Sequence, residues 1–138
     1  MKMQYCKNFS TLSFAFVFSA FGSIAAADDL SERGVYFFGN CDVELEGNVV
    51  MNGDCYYRDQ IEMGHHIYYF YDQPFVAEGE VKFKHMVVRY HTENDEVVKI
   101  AHENGDGIHY LMGEFLFDGD CYVSKRGKVC NHVYEAAD

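Results

Sequence analysis

The chain contains no tryptophan and a single proline, Pro74. Beyond residue 27, its only hydroxyl side chains other than tyrosine are Ser31, Thr92 and Ser124. None of them stands in a Gly-x-Ser-x-Gly elbow, so a serine-hydrolase triad has no nucleophile. Close cysteine pairs are missing too: Cys41, Cys55, Cys121 and Cys130 are 14, 66 and 9 residues apart. That spacing argues against a four-thiolate zinc site, which is built from pairs such as Cys-x-x-Cys. Positive charge is scarce, with 11 Lys and Arg against 22 Asp and Glu. Such a balance repels nucleic acid and anionic headgroups and attracts cations or basic proteins. After residue 27 no apolar run approaches the roughly 20 residues of a membrane-spanning helix. No segment there keeps a helical period over three turns.

The first 27 residues read differently. Lys2 and Lys7 precede an apolar run at about 12–24, which ends in Ala25, Ala26 and Ala27. This is the pattern of a secretory signal peptide, with cleavage expected after Ala27. Removing it leaves 138 − 27 = 111 residues and a formal charge of 9 − 22 = −13. The remainder, 28–138, is expected to form one β domain in the periplasm or outside the cell. Four cysteines remain, and an even count in an exported chain predicts two disulfides. No thiol is then left as a nucleophile. Three pairings exist. Cys41–Cys55 with Cys121–Cys130 is preferred, because Cys121 and Cys130 can face each other in a hairpin; the alternative joins Cys55 to Cys121.

One stretch occurs twice, at residues 47–57 and 113–123, an offset of 66. Each copy carries Gly-Asp-Cys-Tyr after an apolar run, and Asn52-Gly53 and Asp118-Gly119 predict type I′ hairpin turns. Gly47-Asn48 is a further turn candidate. Residues 41–46 alternate apolar and acidic, the mark of a half-buried strand. Residues 58–64 read as a loop, 66–71 as an aromatic strand and 80–91 as the longest regular element. Turns are predicted at 92–96, 102–107 and 125–127. The expected fold is all-β: a small antiparallel sheet, sandwich or barrel of hairpins with two disulfides.

The pattern Gly39-x-Cys41, Asn52-Gly53-x-Cys55, Asp118-Gly119-x-Cys121-Tyr122 and a final Cys130 resembles small exported bacterial proteins of unknown function. Those relatives carry Trp where this chain has Tyr122. The resemblance implies export and a disulfide-stapled fold, and it implies no activity.

Candidate sites are few. Glu44 and Glu46 lie opposite Val43 and Leu45 in the alternation and predict a solvated acidic face. Tyr68, Tyr69 and Tyr71 cannot all point inward from one strand, and tyrosines framed by carboxylates suit a protein-binding patch. A two-residue turn at Gly105-Asp106 would set His102 opposite His109, close enough to share a metal ion. No spacing singles out a catalytic carboxylate pair, and no cofactor is expected. Two roles follow. The first is a non-enzymatic inhibitor or immunity-type protein for a basic extracytoplasmic enzyme. The alternative is a metal-binding or stress-buffering protein that uses histidines and carboxylates.

Overall fold

The computed structural model describes residues 29–131. The expected leader, 1–27, lies outside the described residues. Ten strands follow one another: β1 (Tyr36–Leu45), β2 (Asn48–Glu62), β3 (His65–Tyr71), β4 (Phe75–Ala77), β5 (Glu80–Lys82), β6 (Met86–His91), β7 (Val97–Glu103), β8 (Tyr110–Phe117), β9 (Tyr122–Ser124) and β10 (Gly127–Cys130). Eight close into an antiparallel barrel in the order β1-β10-β9-β8-β7-β6-β3-β2, and β4 and β5 form a separate hairpin. The all-β expectation therefore resolves to the barrel. Closure removes the open edges of the eight-stranded sheet.

Alternation fills the inside. Cys41, Val43 and Leu45 of β1 meet Phe70, Val98, Ile100, Phe115 and Val129 in one buried cluster. An eight-stranded barrel is just wide enough for side chains to fill it. A second cluster lies on the outer wall: Ile67, Tyr71, Met86, Val88 and Ala101 are buried beneath Leu30, Val81 and Phe83. The β4–β5 hairpin and a helical turn at residues 29–32 supply that cover. β3 and β6 are thus buried on both faces, which matches the near-continuous apolar runs at 67–71 and 86–88. The stretch 80–91 is interrupted rather than the longest element. Between β5 and β6, the Asp72 carboxylate accepts the Lys84 and His85 N–H groups at 3.2 and 2.8 Å.

The two copies of the repeat adopt different structures. The first turn falls at Glu46-Gly47, with φ 52° and 78°, one residue before Gly47-Asn48. Two positive φ values in a two-residue loop are the type I′ signature. Having turned there, the chain runs straight through Asn52-Gly53, which pair with Asp42 and Cys41. It also runs through 58–62, expected as loop, before turning at Met63-Gly64 (φ 53° and 84°). The second copy does turn at Asp118-Gly119, but as a four-residue loop. The Asp118 N–H donates to the Cys121 carbonyl at 2.9 Å, and its carboxylate accepts the Asp120 and Cys121 N–H groups at 3.0 and 2.8 Å. Both expected type I′ turns are therefore corrected.

The preferred disulfides are present: Cys41–Cys55 and Cys121–Cys130, with Cα atoms 5.8 and 4.4 Å apart. Because Asn52-Gly53 does not turn, Cys55 sits on the strand beside β1, diagonally across from Cys41 (Cys41 faces Gly53, and Gly39 faces Cys55). Mass spectrometry of the unreduced, alkylated domain should find no labelled cysteine among these four. Stoichiometric labelling of any one would break this framework.

Candidate functional site

Three connections share one end of the barrel: the β2–β3 turn, the β6–β7 loop and the β8–β9 loop. Pairing places them side by side, since Ile67 faces Tyr90 and the Phe117 N–H donates to the Glu96 carbonyl at 2.8 Å. Short polar side chains build the loops from within. Thr92 Oγ1 donates to the Val97 carbonyl at 3.2 Å, and Asn94 Oδ1 accepts the Glu96 N–H at 3.0 Å. The backbone N–H groups of Cys121 and Asp120 hold the Asp118 carboxyl below the usual carboxylate range. Glu62, Glu93, Asp95, Glu96, Asp118 and Asp120 thus gather at this end, all exposed, and its turns contain no Lys or Arg. Ile61 and Met63 are also exposed beside them, Met63 almost completely.

At the opposite end, the acids around the β1–β2 turn meet cations of the β9–β10 hairpin. There Arg126 Nε donates to Glu46 at 2.6 Å, its Nη1 donates to the Leu111 carbonyl at 3.1 Å, and Lys128 Nζ reaches Asp42 at 3.0 Å. Glu44 stands directly across from Lys128. The expected acidic face is corrected accordingly. Glu44 does point outward, half-buried, but Glu46 is a turn residue, and cations of the β9–β10 hairpin meet these acids. The carboxylates of the other end have no Lys or Arg beside them in their turns, whose sequence had read only as turns.

The tyrosines also part company. Tyr68 points into the barrel at 5 % exposure, while Tyr71 is buried at 4 % in the outer layer. Tyr69 is half-buried with the Arg58 guanidinium 4.6 Å from its ring centre. Tyr68 and Tyr71 are therefore core residues, and no exposed triad exists. The hairpin that covers this wall, β4–β5, is the connection between β3 and β6 themselves. A cleft of about 580 Å³ remains beside Tyr69 and Tyr71, lined also by Arg33, Arg58, Glu103 and His109. Burial raises the Tyr71 hydroxyl's pKa, and the nearby Arg58 charge opposes that rise.

His102 and His109 are not brought together. β8 carries one extra residue, Met112, where the register steps from Ile100–Gly113 to Ala101–Leu111. That bulge sets Tyr110 opposite His102, and His109, one residue away, takes the other face. There His109 Nε2 lies 3.2 Å from Glu103 Oε2. His102 instead meets His85, with Nε2 and Nδ1 3.0 Å apart. Among the described residues, no three His, Cys, Asp or Glu side chains converge as a metal cage.

One site escaped sequence reasoning altogether. Arg89 is fully buried inside the barrel, its guanidinium within 5.2 Å of the ring centres of Tyr68, Phe70 and Tyr122. It donates to His91 Nε2 at 2.9 Å and to the Asn131 carbonyl and Oδ1 at 2.8 and 3.1 Å. Burial pulls its pKa down to about 10. The available clue was its inward-facing place two residues after Val87. Scans against protein-family models, curated sequences and solved structures find no match to this chain.

Proposed function

We propose that this is an exported, non-enzymatic binding protein, an inhibitor or immunity-type partner of a basic extracytoplasmic enzyme. The observation that carries this reading is the division of charge along the barrel. Six carboxylates gather at one end, whose turns hold no Lys or Arg, whereas Asp42 and Glu44 of β1 and Glu46 of the following turn face Lys128 and Arg126. Opposite fields raise the encounter rate and select the partner. Exposed Ile61 and Met63 at the rim supply apolar surface that could be buried once the charges have steered docking. All four cysteines of the barrel are in disulfides, which is compatible with an oxidising compartment. No helix among the described residues is long and apolar enough to cross a membrane.

The test uses a lysozyme as the basic enzyme. Its association with the purified domain should slow roughly tenfold or more as salt rises, because screening shortens the reach of charge to about 8 Å at physiological ionic strength. The triple variant Glu93→Gln, Asp95→Asn, Glu96→Gln should slow association at low salt to a similar degree. Glu44→Gln with Glu46→Gln should change it little, and melting temperatures should stay close to wild type. Salt-independent binding, or a triple variant that associates like wild type, would refute the acidic-end reading.

A further inference from the structure

His85 and His102 converge at the end of the barrel opposite the acidic loops. His102 continues the inward-facing parity of Val98 and Ile100 on β7 and pairs directly with Val87 of β6. His85 immediately precedes β6 and is held there through its own N–H, which donates to Asp72 Oδ1 at 2.8 Å, and through its carbonyl, which accepts the Asp72 N–H at 3.1 Å. The two imidazoles lie nearly parallel, with 25° between their planes and centroids 5.2 Å apart. Both are part-buried, and Nδ1 of His85 is 3.0 Å from Nε2 of His102.

Two neutral imidazoles gain only one hydrogen bond from this arrangement. The same placement suits something else. With metal–nitrogen bonds of about 2.0–2.1 Å, two neighbouring ligands on one ion stand roughly 2.8–3.4 Å apart. We propose that His85 and His102 form a two-histidine site for a divalent transition-metal ion of the zinc or copper class, with Nδ1 of His85 and Nε2 of His102 as its protein ligands.

The proton balance is simple. The hydrogen now shared between the facing nitrogens moves to the outer nitrogen of its own ring, so both facing lone pairs become available with no net change of charge. Burial, and secondarily the facing His85, lowers the pKa of His102 and so favours the neutral, ligating form. The Asp106 and Asp72 carboxylates act on His102 in the opposite sense, placing negative charge where a bound cation would benefit from it. Asp106 is itself fixed by the Ile108 N–H at 2.9 Å and the Tyr110 hydroxyl at 2.9 Å. Because no third side chain among the described residues completes a cage, water fills the remaining positions. Imidazole suits zinc, copper, iron and nickel, and copper binds most tightly in the ordinary divalent series.

This site does not depend on the acidic end, so either reading can fail alone. The experiment titrates Zn²⁺ into the metal-stripped, purified domain by calorimetry. The expected result is a site of one ion per chain whose affinity falls roughly tenfold or more in His85→Ala and in His102→Ala. His109→Ala and His66→Ala should retain it. Metal-free melting curves show whether each variant is folded. For any that is not, wild-type ring proton resonances give the answer directly: Zn²⁺ must shift those of His85 and His102 before those of the other histidines. Absence of binding, loss of the site in His109→Ala alone, or first shifts on other histidines would overturn the proposal.

Discussion

Gly127→Ala should destabilise the domain by on the order of 3–5 kcal/mol, enough to lower its melting temperature by roughly 15 °C or more. Gly127 opens β10 directly opposite Leu45, the last residue of β1, and so lies on the seam where the barrel closes. A methyl group there would stand 2.9 Å from the Glu44 carbonyl carbon and 3.0 Å from the Leu45 Cα, and nearer still to the Glu44 carbonyl oxygen. These are backbone atoms of a paired strand, so no side chain can swing aside to make room. The φ of 153° adds a conformation that L side chains rarely adopt. Gly53→Ala and Gly119→Ala are the controls. Their φ values are 132° and 108°, but a Cβ at either meets nothing within 4 Å. They should cost about 1 kcal/mol each, through backbone strain alone. Equal losses for all three variants in thermal melts would show that close packing across the seam is not what Gly127 provides.

Arg89→Glu should abolish folding, while Arg89→Met should leave stability within about 2 kcal/mol of wild type. The guanidinium is fully buried, and the groups placed around it are rings, an imidazole and the Asn131 carbonyl and amide. Among the described residues, its Nη2 and the Asn131 Nδ2 find no hydrogen-bond partner. Burial therefore disfavours the charged form, and the sign follows from its pKa of about 10. A base whose pKa is lower folded than unfolded destabilises the fold wherever it is charged in both states, here below about pH 10. The penalty fades only as pH rises toward the unfolded value. The three rings offset part of it by cation–π attraction. Methionine fills similar space without the charge, at the cost of the hydrogen bonds to His91 and Asn131. Glutamate reverses the charge inside the same aromatic shell, where no cation is left to pair with it. Chemical denaturation of the purified variants measures both effects. A folded Glu variant of wild-type stability would mean that the site is wet and open; a Met variant that fails to fold would make the buried charge itself essential.

The amino-acid sequence determined that the fold is all-β and, in β1, which side chains are inward. The alternation of Cys41, Val43 and Leu45 with Asp42 and Glu44 is local, and it matches β1 as folded. The cysteine parity and the Cys121–Cys130 hairpin were legible for the same reason, as were the turns at 92–96 and 125–127. Register and closure were not legible, because they depend on partners far away in the chain. Asn52-Gly53 and Asp118-Gly119 carry nearly the same local chemistry. Only the earlier turn at Glu46-Gly47 and the pairing with Asp42 and Cys41 keep the first of them extended. The β7–β8 register sets Tyr110 rather than His109 opposite His102, which meets His85 instead. Ring closure set Lys128 beside Asp42 and Arg126 beside Glu46. Because strand side chains alternate with a period of two, one residue of slip sends each group to the other face. The fold class was therefore written in the local pattern, while the composition of every candidate site was decided by the barrel.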